Sequence, residues 1–361
     1  MRFLEALSTL ALMAAVVDAT PLVARDNSGT KTKSPKVKSK TTSTGVPVST
    51  GSASTPYSKS NATGGSSSGL ITDACNLGYA TQNGGTTGGG SAATTTVTTV
   101  AELTACAQQA APAVCLITGA LTGNTVIKVS ADTTIAGAAG SSLTGIGLRV
   151  MVKNVILRNL KISKVLASAG DAIGIQAASN VWVDHCDLSS DRDHDKDYYD
   201  GLLDVTHASD YITISNTHLH DHWKASLVGH SDSNGAEDKG HLIVTYANNF
   251  FENINSRGPS IRFGTVHIYN HYSKTSSTGV NTRMGAEVLV ESAVFEGIAR
   301  AIESADSSTV GFATVHDVDL GQGTNTVGPS SLTKAPYEYA LLGSKNVVSS
   351  VTTSAGQTLK F

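Results

Sequence analysis

From about Leu70 onward the apolar residues fall into short runs, mostly Val, Ile and Leu, separated by polar corners. Val155-Ile156-Leu157 with Ile162 recurs as Val181-Trp182-Val183 with Leu188, then as Ile212-Thr213-Ile214 with Leu219. Ile243-Val244-Thr245 with Phe250, Val266-His267-Ile268 and Val288-Leu289-Val290 continue the series, in steps of 26, 31, 31, 23 and 22 residues. Each unit reads as a short strand, a polar corner and a second apolar strand. Asn159, Ser215, Asn248 and Asn270 lie in or near the corners. No dependable helix separates the strands, which disfavours a βαβ fold. A β-sandwich would need tight antiparallel turns instead of recurrent corners. The pattern predicts an all-β parallel β-helix, with coils stacked so that inward side chains form ladders. The uneven step then places loops of different length on the outside, where function usually sits.

The two ends of this stack need cover. Thr99-Val100-Ala101-Glu102 has the form of a capping box before the Ala-rich stretch Leu103–Ala111, which predicts a short N-terminal helix capping the first coil. Ahead of the repeats lie two segments of different character. Met1–Ala19 joins Arg2, an apolar run from Ala6 to Val17 and a small-residue end, the pattern of a secretory signal peptide. That run is too short to span a bilayer, so no membrane partner is expected. Residues 20–69 are rich in Ser, Thr, Gly and Lys and carry the sequon Asn61-Ala62-Thr63. So little apolar surface predicts a disordered, glycosylatable linker before a β-helix domain over 70–361. Lys31, Lys33, Lys36, Lys38, Lys40 and Lys59 make the linker basic, which suits a solvated spacer or weak adhesion to an acidic polysaccharide.

Charge narrows the partners. The chain is formally −3, and from Leu70 onward 18 basic and 26 acidic residues leave −8. A nucleic-acid binder is excluded, because phosphate recognition needs a basic face. Cys75, Cys106, Cys115 and Cys186 suit an oxidising, extracellular compartment. Three pairings are open, with Cys106–Cys115 closing the shortest loop, and the spacing has no zinc pattern.

Chemistry concentrates in three places. In the acidic run Asp191–Asp204, an EF-hand reading fails because Lys196 and Leu202 occupy its glycine and glutamate positions. Asp200 and Asp204, four apart on a strand, face one side. Stacking Gly170–Ile175 on Asp200–Val205 sets Ile175 beside Val205 and brings Asp171 close to both carboxylates. Three stacked acids either form a solvated edge or share a cation, and calcium suits an all-oxygen set. Lys224 stands in the next coil, and Arg257 and Arg262 flank Pro259 in the one after. Cations beside such a site would suit a polycarboxylate. Asp184-His185 reads as a hydrogen-bonded structural pair, and His220, His222 and His230 lack the spacing of a zinc protease. Phosphate-loop and nucleophile-elbow patterns are missing.

These segments resemble, in order, the signatures of the pectate lyase family. They are Asn180-Val181-Trp182-Val183-Asp184-His185, Asp200-Gly201-Leu202-Leu203-Asp204, His222-Trp223-Lys224 with Gly229, and Arg257-Gly258-Pro259-Ser260-Ile261-Arg262-Phe263-Gly264. Gly78-Tyr79-Ala80 and Gly84–Gly89 resemble the family's N-terminal stretch. The resemblance implies a right-handed parallel β-helix and eliminative cleavage of α-1,4-polygalacturonate by a secreted enzyme, expected to be monomeric. It also implies Ca2+ at Asp171, Asp200 and Asp204, Arg257 as base, and substrate binding by Lys224 and Arg262. Ser260 departs from the family, which often has a further basic residue there. An arginine base is awkward, since the guanidinium reference pKa exceeds about 12. Crowding by cations would favour its neutral form, so an alkaline optimum is expected. The alternatives are two-carboxylate hydrolysis, a calcium-independent pectin lyase, and a non-catalytic solenoid that binds cell-wall polysaccharide.

Overall fold

The computed structural model describes residues 69–361. The signal-peptide reading, nearly all of the linker and its sequon lie outside the described residues. Among these residues the predicted coils are present as a right-handed all-β solenoid whose 23 strands pair in parallel. Three ladders of strands run along it. In the first, Val155, Val181, Ile212, Val244, Val266 and Val288 are in-register neighbours, all fully buried. In the second, Ile162, Leu188, Leu219 and Phe251 stack the same way. The third runs Leu148, Ile173, Leu203, Ser226. Strand alternation sends the apolar ones into one continuous core, and Ser226 is fully buried as well.

One register differs from the repeat read in the sequence. The residue stacked on Ile212 is Val244, not Ile243, and Leu219 stacks on Phe251, not Phe250. A slip of one residue exchanges the faces of a strand. Ile243 accordingly packs outside, against the cluster of Tyr79, Tyr269 and Tyr337, and Phe250 lies on the outer face of the second sheet.

The corners are made by left-handed backbone. Asn159, Asn216, Asn248 and Asn270 have φ of 55°, 48°, 57° and 51°, a region that asparagine tolerates better than most residues. Asn216 takes the corner beside the strand residue Ser215. The Asn270 amide donates to Asn248 Oδ1 at 2.9 Å, so these corners are also stitched side by side.

The capping helix forms over Val100–Ala107. Thr99 Oγ1 accepts from the Glu102 amide and Glu102 Oε2 accepts from the Thr99 amide, both at 3.1 Å. Leu103, Cys106 and Ala107 close the first coil, and a Cys106–Cys115 disulfide ties the helix to the strand Ala113–Ile117. Cys75 and Cys186 are free thiols. A second helix, Ser344–Ser354, covers the outside of the second sheet through Val347 and Val351. The glycine-rich N-terminal stretch runs tightly along the first sheet. A Cβ on Gly89 would lie 2.0 Å from the Ala113 carbonyl oxygen.

Asp184 and His185 pair as expected, His185 Nδ1 lying 2.7 Å from Asp184 Oδ2. The same buried carboxylate accepts from Arg158 Nε at 3.0 Å, Ser215 Oγ at 2.7 Å and Asn216 Nδ2 at 3.0 Å. Asp184→Ala should cost about 3 kcal/mol, the low end for breaking a buried ion pair, because Arg158 keeps Asp73 at 3.2 Å. Urea unfolding midpoints would measure it, and an unchanged midpoint would remove Asp184 as a structural centre.

Candidate active site

All the sequence-predicted site residues except Arg262 meet where the chain turns from the second sheet into the third. Asp171 lies just ahead of the strand Ile173–Gln176, and Asp200 and Gly201 just ahead of Leu203–Thr206. Asp204 is on that strand. Lys224 ends the strand His218–Lys224, and Arg257 directly follows Phe250–Ser256. The register is the one expected: Ile175 faces Val205, and Asp171 Oδ1 accepts from the Gly201 amide at 3.2 Å. Asp200 stands off the strand, so it reaches Asp204 across the bend at Leu202 rather than by strand alternation.

Asp204 is the hub. Its Oδ1 accepts from the Leu227 amide of the next coil at 3.0 Å, and its Oδ2 from Arg257 Nη1 at 3.2 Å. Lys224 Nζ lies 3.2 Å from Asp200 and 3.3 Å from Asp197. The Asp200 carbonyl accepts from His222 Nε2 at 2.6 Å. Burial holds His222 down to about 4, so a neutral, Nε2-protonated ring anchors that backbone. Arg257 has φ of 66°, strained for a residue with a Cβ. Its carbonyl is secured by the Ser226 amide at 2.9 Å, while about a quarter of its side chain remains exposed.

Two glycines make room for the acids. A Cβ on Gly201 would lie 2.6 Å from Asp204 Oδ1, and one on Gly174 would lie 3.0 Å from Asp171 Oδ2. Burial, then Asp204, then Asp200, push the Asp171 carboxyl up to about 8. Burial also raises Asp204, to about 6. There Arg257 works against the rise and Asp200 adds to it. Carboxyls held this far up are electrostatically short of positive charge. An all-oxygen set of this kind could hold a hard cation such as Ca2+. Each acid already leans on a cation of the protein: Asp171 on Arg149 at 3.7 Å, Asp200 on Lys224, Asp204 on Arg257.

Arg262 ends the strand Ser260–Arg262, away from the acids. Its Nε binds Asp232 and its Nη1 donates to the Gly229 carbonyl at 2.8 Å. In register beside it stands Arg283, which sequence reasoning missed. Burial, then Arg262, hold Arg283 below its ordinary value, and Arg257 adds to the effect, so the three guanidiniums share one field. Arg283 Nη1 lies 3.5 Å from Ser260 Oγ, which brings a cation to the position where Ser260 lacks one. Arg149 was missed as well. Strand register was the only available signal, since Arg149 pairs with Gly174 as Gly174 pairs with Asp204.

His220, His222 and His230 do not converge. His230 stacks on His207, while His220 joins His218 and Asp187 on the outside of the second sheet. These last three offer ligand atoms within 4.8 Å of one another, the one such His/Cys/Asp/Glu group among the described residues.

The pectate lyase family model matches residues 66–359. Pectate lyase B of Colletotrichum gloeosporioides is 58% identical over 294 residues, 81% of this chain and 88% of that one. A probable pectate lyase A of Aspergillus fumigatus is 59% identical over 292 residues, 80% and 90% of the two chains. Among solved structures, a pectate lyase from Bacillus sp. N165 in complex with trigalacturonate matches with a TM-score of 0.71 at 28% identity. That match covers 79% of this chain and 99% of the other. Matched by that family model over most of its length and by relatives more than half identical to it, the chain belongs to the pectate lyase family.

Proposed function

We propose that this pectate lyase cleaves α-1,4-linked polygalacturonate by calcium-assisted β-elimination, with Arg257 as the base. The observation that carries the reading is Asp204. One buried carboxylate joins the acidic set to a partly exposed guanidinium at 3.2 Å, so a metal site and a proton acceptor would share one groove.

Elimination removes the proton from C5, beside the uronate carboxylate, forms a C4=C5 double bond and expels the O4 glycosidic oxygen, which takes a proton from water. Asp171, Asp200 and Asp204 would hold the ion, and Ca2+ bound there would supply charge neutralisation of that carboxylate. Lys224, one-seventh exposed at the end of its strand, would grip a substrate carboxylate as a point charge. Arg262, fixed by Asp232 and Gly229, would present its guanidinium to the carboxylate next to C5 and stabilise charge that develops as the proton leaves. Arg257 would accept the C5 proton after giving up its own. Asp204, at 3.2 Å, pairs with the charged guanidinium and opposes that loss. With Asp204 serving as a ligand its charge would be shared, and Arg257 would face mainly like charges. The Cys106–Cys115 disulfide supports secretion into an oxidising compartment.

Incubation with polygalacturonate under ultraviolet light tests the reading. Elimination leaves a conjugated double bond whose absorbance grows with time, and a chelator should stop that growth until calcium is restored. Reducing ends without absorbance would mean hydrolysis. Growth indifferent to chelator would point to a calcium-independent lyase.

A further inference from the structure

The outer face of the second sheet carries a second group of metal-ligating side chains that the elimination does not use. Leu188, Leu219 and Phe251 point into the core, so their neighbours Asp187, His218, His220 and Glu252 point out. Register stacks them across three successive coils. Asp187 faces His218, and His220 faces Glu252. We propose that Asp187, His218, His220 and Glu252 form a site for a borderline divalent ion of the Zn2+ class, separate from the aspartate cluster at the turn.

The geometry supports this in four ways. Asp187, His218 and His220 have ligand atoms within 4.8 Å of one another. Nε2 of His218 is buried without a hydrogen-bond partner, and it lies 3.4 Å from Glu252 Oε2, so a fourth ligand is within reach. His220 Nε2 lies 3.4 Å from Asp187 Oδ1, while its Nδ1 lies 2.9 Å from Asp221 Oδ2. A carboxylate behind a histidine is the usual outer support of a metal-bound imidazole, because it fixes the ring and leaves the other nitrogen for the ion. Finally, the side chains of Asp187, His218 and His220 are each about one-fifth exposed, open enough for an ion to enter.

Two imidazoles with carboxylates select a borderline ion over Ca2+, which takes oxygen ligands. Lys161 Nζ, 3.8 Å from Asp187 Oδ1, is the cation the ion would displace. His218 also stacks on Phe250 at 4.5 Å, and the chain crosses at Gly356, whose Cβ position is 3.6 Å from His218 Cβ. The ion would therefore clamp three coils beneath the C-terminal segment. It would do so at a distance from the chemistry, because His218 and Lys224 open and close one strand, at most about 20 Å apart at about 3.3 Å per residue.

The test is calorimetric titration of Zn2+ into the chelator-stripped full chain in calcium-saturated buffer. Saturable binding of one ion per chain is expected. His218→Gln and His220→Asn should each weaken it at least about tenfold, and Asp221→Asn by about 10–100-fold. All three variants should keep parental elimination rates with calcium, which also shows that they fold. Asp200→Asn, placed in the other site, should bind Zn2+ as the parent does. The proposal is overturned if the parent binds no Zn2+, if the histidine variants bind it equally well, or if Asp200→Asn loses it.

Discussion

Arg257→Lys is expected to fold, to bind polygalacturonate with a KM within a few-fold of the parent, and to lose at least a hundredfold in kcat. Removing a positioned acid–base group costs about 10²–10⁴ in rate. Lysine keeps the positive charge, so the charge balance opposite Asp204 survives. It replaces a planar fork with a shorter point charge, so neither the 3.2 Å reach to Asp204 nor the position of the accepting nitrogen is reproduced. The φ of 66° is the same burden for both residues, which keeps backbone strain out of the comparison. Initial rates from ultraviolet absorbance across a substrate series would separate kcat from KM. A fully active variant would strip Arg257 of the base role, and a loss confined to KM would make it a binding residue.

The second large effect is a pH dependence that depends on the ion. The folded-state carboxyls of Asp171 and Asp204 are raised to about 8 and about 6, from an ordinary 3.8. A raised acid contributes stability fully below its unfolded value, and that stability is lost as pH climbs through the folded value. In chelator, this pair should therefore cost the protein stability progressively between about pH 4 and pH 8. Calcium needs the deprotonated forms, so the stabilisation it confers should be small near pH 5 and large near pH 9. Paired carboxylates such as Asp184 and Asp187, held below their usual range, act in the opposite sense at lower pH. Asp171→Asn isolates the window. The variant should be the more stable one in chelator at pH 9 and should gain less than the parent from calcium. Melting temperatures across pH, with and without calcium, give the answer. An increment from calcium that is equal at pH 5 and pH 9 would contradict the assignment of these acids to the ion.

How much was visible beforehand follows from the range of each interaction. The capping box at Thr99 and Glu102 is a contact between residues three apart, and it formed as read. The left-handed corners at Asn159, Asn248 and Asn270 are single-residue preferences, and they too were legible. Asp171 was found because the segment Gly170–Ile175 matches Asp200–Val205 without a gap, so a register could be counted. The count failed at Ile243, since one additional residue in the preceding loop moves every inward position by one and local alternation looks equally good either way. Arg149 and Arg283 went unnoticed for a related reason. Neither stands in a suggestive local motif, and each becomes part of the site only through the residue stacked beside it.

Taken alone, the sequence determined the period of the coil, the strand-and-corner chemistry, the helical cap, and an order of motifs that implied the family and its principal acids and bases. Those properties depend on neighbours along the chain. The tertiary structure decided which residues share a rung: the hub at Asp204, the Arg262–Arg283 pair, the disulfide chosen from three pairings, and the outward quartet around His218. Partners in a solenoid lie one coil apart, across loops whose lengths vary, and only the closing of each coil onto the last turns that separation into contact.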